Sequence, residues 1–274
     1  MKQIIMIPQW ITLLLTVIEM WLVFKKMKRR AHYYLFVNSI ALLLYSVSSL
    51  LLLFVETEEA YYVLFMFSWA GKIGVVISLL LFCISYFDHK LPAAITAIES
   101  GFAVITYIVI VTTKKTGLFY RDFRLVKEGD LTIAEYAYGP WYTLWLMAVA
   151  VIIGTCLLML LKALADEKIL QRRKQYIEIL IALLIELAVG FLTKLPIGRY
   201  YDFNQLGFSL CIILVLLAIF RDDFMDTESV AKDYVIDELS AGVIAMGANG
   251  RVAYYNKKAL QIFPGILYNQ CRVI

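Results

Sequence analysis

Long apolar runs separated by short polar breaks occupy the chain up to residue 220. A helix that crosses a hydrocarbon core needs about 20 mostly apolar residues. Seven segments meet that requirement: 4–24, 33–55, 61–87, 91–112, 141–161, 176–195 and 203–220. The last two are separated by Lys194-Leu195-Pro196-Ile197-Gly198-Arg199, where proline and glycine favour a tight turn between two helices over one bent helix. Between the fourth and fifth runs the pattern changes. Residues 120–126 and 131–138 are rich in aromatic and β-branched side chains around Lys127-Glu128-Gly129-Asp130, which predicts a β-hairpin with glycine in its turn. The expected fold is an all-α membrane protein, a seven-helix transmembrane bundle with an extracellular β-hairpin over its outer end.

Composition supports a lipid solvent. Apolar residues make up 62% of 274 and the mean hydropathy is +0.76, against roughly 45–50% apolar in soluble domains. The formal charge of +4 is too mild to suggest a nucleic-acid partner. Its distribution sets the topology. Lys25, Lys26, Lys28, Arg29, Arg30, Lys90, Lys162, Lys168, Arg172, Arg173, Lys174 and Arg221 fall on one side, while Glu56-Thr57-Glu58-Glu59 on the other has no basic residue. The remaining bases, Lys2, Lys114, Lys115, Arg121, Arg124, Lys127, Lys194 and Arg199, lie mostly in the hairpin segment, mixed with Asp122, Glu128, Asp130 and Glu135. Basic residues favour the cytoplasmic face, so the N-terminus is expected outside the plasma membrane and the C-terminus in the cytoplasm. Charge behind rather than before the first run argues against a cleaved signal peptide.

Ionisable groups inside the runs cost about 2.5–3.5 kcal/mol at a helix centre, which makes each a functional candidate. Glu19 lies near the inner end, within snorkelling reach of Lys25. Lys72, Glu99 and Glu186 sit at comparable depth and form a candidate intramembrane charge network, with Lys72 expected to pair with Glu99 or Glu186. Trp69, three residues before Lys72 and on the same helical face, and Trp145 are candidate ligand-pocket aromatics. Ala70, Gly74 and Ser78 form a stripe of small residues that permits close helix approach. Cys83, Cys156 and Cys211 lie inside apolar runs, and no CxxC or Cys/His cluster occurs, so they read as small buried hydrophobes. No catalytic residue, metal or cofactor is expected.

After Phe220 the composition turns acidic. Residues 221–240 read as a helix leaving the membrane. Gly242–Met246 and Arg251–Tyr255 then flank Ala248-Asn249-Gly250, a strong hairpin signal. Asn256 follows as the N-cap of a helix over 257–263. In that order, ELSAGVIAMGANGRVAYYNKKALQIF resembles the opening of a PAS domain, with Gly247 where such domains often carry aspartate. Only about the first third of that fold is expected here, an incomplete α+β segment. The expected domains are 1–221 (seven-transmembrane sensor), 222–240 (cytoplasmic signalling helix) and 241–274 (truncated PAS-like start).

Gly117-Leu118-Phe119, Tyr138-Gly139-Pro140-Trp141-Tyr142, Arg172-Arg173-Lys174-Gln175 and Phe220-Arg221-Asp222 occur in an order that resembles the seven-helix N-terminal sensor region of bacterial histidine kinases. That resemblance implies the input module of a two-component signalling protein. Relatives attach it to kinase or diguanylate cyclase outputs, often through PAS, and neither output is visible in this sequence. The implied partners are a small-molecule, lipid or peptide signal, a cytoplasmic output domain and a second copy of the chain. A transporter is the rival reading. It would favour paired repeats and helices broken at the midplane, which the sequence lacks. A retinal protein would need a lysine within 203–220, and none is present.

Overall fold

The computed structural model describes residues 2–25, 27, 30–87, 93–168, 170–221, 235–236, 238–246 and 252–263. It divides into two units, Met1–Ala218 and Ile219–Ile274. The first holds helices α1 (Lys2–Lys25), α2 (Arg30–Leu52), α3 (Glu58–Tyr86), α4 (Ala93–Val111), the single turn α5 (Thr113–Thr116), α6 (Pro140–Asp166), α7 (Leu170–Phe191) and α8 (Asn204–Arg221) up to Ala218. Among the described residues, α1, α2, α3 and α6 are long and apolar enough to cross a membrane, and Ala97–Val111 and Asn204–Ala218 are shorter apolar helices. Large apolar side chains such as Ile4, Leu14, Val151 and Leu158 are exposed on the outside of the bundle. In water such a surface would be costly, and lipid is its matching solvent.

Helix α7 begins at Leu170 rather than 176 and ends at Phe191 rather than 195. Arg172, Arg173 and Lys174 are good helix formers, so the helix continues past the apolar run into its polar flank. Two short 3-10 turns, Leu192–Lys194 and Pro196–Arg199, make the expected break. Gly198 is required there, because a Cβ would collide with the Thr193 carbonyl.

Strands β1 (Tyr120–Glu128) and β2 (Leu131–Tyr138) form the expected hairpin, with β1 running two residues further than the pattern suggested. Glu128 pairs with Leu131, leaving Gly129-Asp130 as a two-residue loop. Gly129 takes φ 64°, the positive φ that tight hairpin turns ask of glycine. A bulge between Arg121 and Arg124 puts Asp122 at φ 52°. The β2 residues Leu131 and Ile133 pack with Ile5 and Tyr201, so the hairpin is seated on the bundle by apolar contact.

Helices α2 and α3 approach closely. A Cβ on Gly71 would lie 2.6 Å from the Ala41 carbonyl oxygen and from the Tyr45 nitrogen, and one on Gly74 would lie 2.9 Å from the Ala41 Cβ. Gly71, next to the Ala70 of the small-residue stripe, makes the closest contact. Asn38 Nδ2 donates to the Val75 carbonyl and to Ser78 Oγ, each at 2.9 Å.

In the second unit, β3 (Ile244–Met246) pairs antiparallel with β4 (Val252–Tyr255), and α9 (Lys257–Ile262) follows. Asn256 is buried and caps α9 as its sequence position suggested. Its Oδ1 accepts from the Ala259 and Val243 amides, each at 2.8 Å, and its Nδ2 donates to the Ile236 and Ala241 carbonyls. The Ala248-Asn249-Gly250 turn and most of the expected 221–240 helix lie outside the described residues.

Candidate functional site

A cavity of about 490 Å³ lies inside the first unit beneath the hairpin, walled by α1, α2, α3, β2, α6, α7 and the start of α8. That volume is in the range of small-molecule sites, roughly 300–1,000 Å³. Its walls are mainly aromatic. Trp69 and Trp145 are both buried and meet edge to face at 6.2 Å between ring centroids. Trp69 also meets Phe119 at 4.8 Å, and Tyr138 stacks on Tyr142 at 4.0 Å. Both tryptophans singled out in the sequence line the cavity. By contrast Trp141 works elsewhere, stacking on Phe102 and donating Nε1–H to Thr106 Oγ1 at 3.1 Å.

Lys72 is also in the wall, and its partner differs from the two expected. Its Nζ lies 2.5 Å from Asp202 Oδ2, in the segment between α7 and α8. Tyr45 Oη–H donates to the same oxygen at 2.5 Å, and the Asn204 amide and side chain donate to Oδ1 at 3.2 and 2.7 Å. Asp202 therefore has both oxygens occupied and ties the first residue of α8 to α2 and α3. Burial would raise its carboxyl, but the Lys72 ammonium and the Tyr45 and Asn204 hydrogen bonds hold it below its ordinary value. Lys72 completes its shell over the Trp69 ring, 4.5 Å from the centroid.

The other sequence-predicted charges separate. Glu186, on α7, lines the same cavity as Lys72 but is not bonded to it, and no hydrogen bond or ion pair engages its carboxylate among the described residues. Glu99, on α4, does not line the cavity, and its Oε2 is buried without a hydrogen-bond partner among the described residues. Glu19 does not snorkel. Its side chain is fully buried and both oxygens lack partners among the described residues, while Lys25 sits over the Trp21 ring at 3.7 Å. A face-to-face reading of α1 explains this: Gln9, Thr12, Thr16 and Glu19 recur at helical spacing and all face inward.

Asp202 lies just outside the apolar runs and so is not among the intramembrane charges that the sequence marks. The signal in the sequence is an acidic residue directly before the last apolar run. Three further contacts link α1 to the end of the chain's first unit: Gln205 Nε2 donates to Gln9 Oε1 at 3.0 Å, Thr12 and Tyr201 share a hydrogen bond at 3.1 Å, and Thr16 and Ser209 share one at 3.2 Å.

Charges hold the lid from above. Arg199 pairs with Glu128 at 2.7 Å and with Glu135, and Tyr200 Oη–H donates to Glu128 at 2.9 Å. Lys127 reaches Glu56 at 3.4 Å, and the Lys2 amide donates to Asp130 Oδ2 at 3.1 Å, which lowers that carboxyl. Burial, then neighbouring Tyr138 and Asp202, keep the Tyr136 hydroxyl protonated well above its ordinary range, and burial pushes Tyr201 up to about 12. These phenols are neutral hydrogen-bonding groups at physiological pH.

A helical bundle with an apolar exterior and a polar, aromatic interior cavity is the architecture of a multi-pass membrane protein. The family model described as the N-terminal 7TM region of histidine kinase matches residues 8–227, and the chain belongs to that family. A search of curated proteins gives no match. Among solved structures, the crystal structure of squid rhodopsin is similar, with a TM-score of 0.50 and 10% identity, covering 84% of this chain and 83% of that one. At that identity the likeness is one of fold. The protein is a membrane sensor input module of the histidine kinase type.

Proposed function

We propose that residues 1–221 form a seven-span sensor with its N-terminus outside the plasma membrane of a bacterium, and that it reads a signal in the cavity under the hairpin. The signal is relayed through α8 and a helix over 222–240 to a PAS-like segment at 241–274, and from there to a histidine kinase output in a dimer. What supports the relay is the position of Asp202. It lies two residues before α8, bonds to the first residue of that helix, and is held by Lys72 and Tyr45, both of which line the cavity. An occupant that changes the packing around this pair changes what holds the outer end of α8. The α1–α8 contact below it includes side-chain hydrogen bonds, Gln205 to Gln9 and Thr16 with Ser209, which can be exchanged for others at little cost.

Such a sensor works by population shift, and an occupant moves the equilibrium only by its differential affinity for two packings. The kinase output is favoured over a diguanylate cyclase because the family model is that of histidine kinases. Two measurements test the reading. Single cysteines at Glu58 and Gly129 should label from outside intact cells, and one at Arg172 only after permeabilisation; outside labelling at Arg172 overturns the topology. In the full chain, spin labels at Phe24 of α1 and Leu217 of α8, both exposed, should change separation when Lys72→Met breaks the ion pair. An unchanged distance overturns the relay.

A further inference from the structure

The charges that line the cavity do not balance once their contacts are assigned. Four ionisable side chains of formal charge at neutral pH take part: Lys72, Arg199, Asp202 and Glu186. Lys72 and Asp202 neutralise each other at 2.5 Å, and Arg199 is turned to Glu128 and Glu135 of the hairpin, neither of which lines the cavity. Glu186 is left over. It is 7% exposed, it lines the cavity, and no described group hydrogen-bonds or pairs with its carboxylate. A lone carboxyl in a bundle interior carries a desolvation cost when ionised, which it escapes by holding a proton or by gaining a counter-charge.

On the reading that this cavity is the signal site, we propose that its ligand is a small organic cation, an amine or a quaternary ammonium compound, with Glu186 as counter-ion. The aromatic wall fits the same chemistry. Ring faces attract cations, and one cation, the Lys72 ammonium, already rests 4.5 Å from the centre of Trp69. Trp145 and Tyr142 extend that wall. An anionic ligand finds no uncompensated cation here, because Arg199 is already shared by Glu128 and Glu135. To reach Lys72 it would have to displace Asp202 from Lys72, Tyr45 and Asn204 together. A neutral ligand can offer Glu186 a hydrogen bond but no charge. Only a cation both bonds to the carboxyl and supplies its counter-charge.

The test uses the full chain purified in detergent, with tryptophan fluorescence read as melting temperature and as a binding titration. The probes are phenethylamine and tetramethylammonium, each as chloride at matched ionic strength, and 2-phenylethanol as the neutral counterpart of the first. The amine should raise the melting temperature saturably while the alcohol does not. Glu186→Gln should weaken amine binding by about tenfold or more, as loss of a charge-assisted partner does, and Glu59→Gln at the exposed start of α3 should leave it unchanged. Equal stabilisation by the alcohol, no response to either cation, or undiminished amine binding by Glu186→Gln each overturns the proposal. If Glu186→Gln does not fold, the contrast between amine and alcohol in the unaltered protein decides by itself. The sensor reading is separated by the Phe24–Leu217 distance. A change with the alcohol and none with the amine rejects the cation and keeps the relay, whereas amine binding without any change keeps the site and rejects the relay.

Discussion

Helices α2 and α3 come closest where side chains are missing, whereas α1 and α8 meet through side chains that hydrogen-bond. At Gly71 and Gly74 there is no room even for a Cβ against the α2 backbone and Ala41. The register of that pair is fixed, because any sliding drives atoms into one another, and close-packed interiors do not deform continuously. Along α1, Gln9, Thr12 and Thr16 meet Gln205, Tyr201 and Ser209 through polar atoms 3.0–3.2 Å apart. Interhelical hydrogen bonds of this kind contribute only about 0.6 kcal/mol on average in a membrane, so they can re-pair at little cost. One contact is built as a fixed frame and the other as a joint, and the Lys72–Asp202 pair links the first to the second.

The largest effect should come from the frame. Gly71→Leu places a branched side chain in the α2 backbone, where overpacking costs roughly 1–3 kcal/mol or more. With no volume to relax into, the expected outcome is loss of monodisperse protein on size exclusion. A well-folded Gly71→Leu variant would show that the α2–α3 pair is not the rigid element.

Next in size is the link. Removing one partner of a buried ion pair costs about 3–5 kcal/mol. Lys72 and Asp202 retain 18% and 31% of side-chain exposure, so a loss of roughly 1–3 kcal/mol is expected for Asp202→Ala after that discount. Lys72→Met combined with Asp202→Ala should cost less than the two separately, since partners are non-additive. Strict additivity in detergent melting would remove the link from the comparison.

The same pair sets a pH dependence. The Asp202 carboxyl is depressed in the folded protein, so its contribution is complete above the unfolded aspartate value, roughly 3.9. It is lost as pH falls below that value through the folded one. Melting temperature should therefore fall between about pH 4 and lower values in the unaltered chain, and less so in the Lys72→Met, Asp202→Ala double variant. An identical acid slope in both would mean that other carboxylates carry it.

The smallest stability effects belong to the joint and the rim. Thr16→Val with Ser209→Ala should change stability by only about 1 kcal/mol, yet shift the Phe24–Leu217 distance distribution. Arg124→Ala, which breaks an exposed pair with Glu135, should stay within roughly 1 kcal/mol and leave that distribution alone. If the rim variant moved α8 and the joint variant did not, the assignment of α1–α8 as the mobile contact would fail.

Local patterns along the chain were enough for the helices of the bundle, because an apolar run of membrane length leaves the backbone no other way to satisfy its hydrogen bonds in lipid. They were enough for the β1–β2 hairpin, where aromatic strands flank Gly129, and for the Asn256 cap, which needs only Ala259 three residues on. They also marked Trp69 and Trp145, which share one cavity wall. What the sequence could not determine was which distant groups meet. Lys72 and Asp202 are 130 positions apart, and the rotation of α3 and the turn before α8 bring them together in preference to Glu186, which has the same charge and lines the same cavity. The inward turn of Glu19 follows likewise from which face of α1 meets α8. Helical and strand periods are local quantities, set by the backbone and its solvent. Pairing between elements depends on how helices rotate and pack against each other, and only the tertiary structure holds that information.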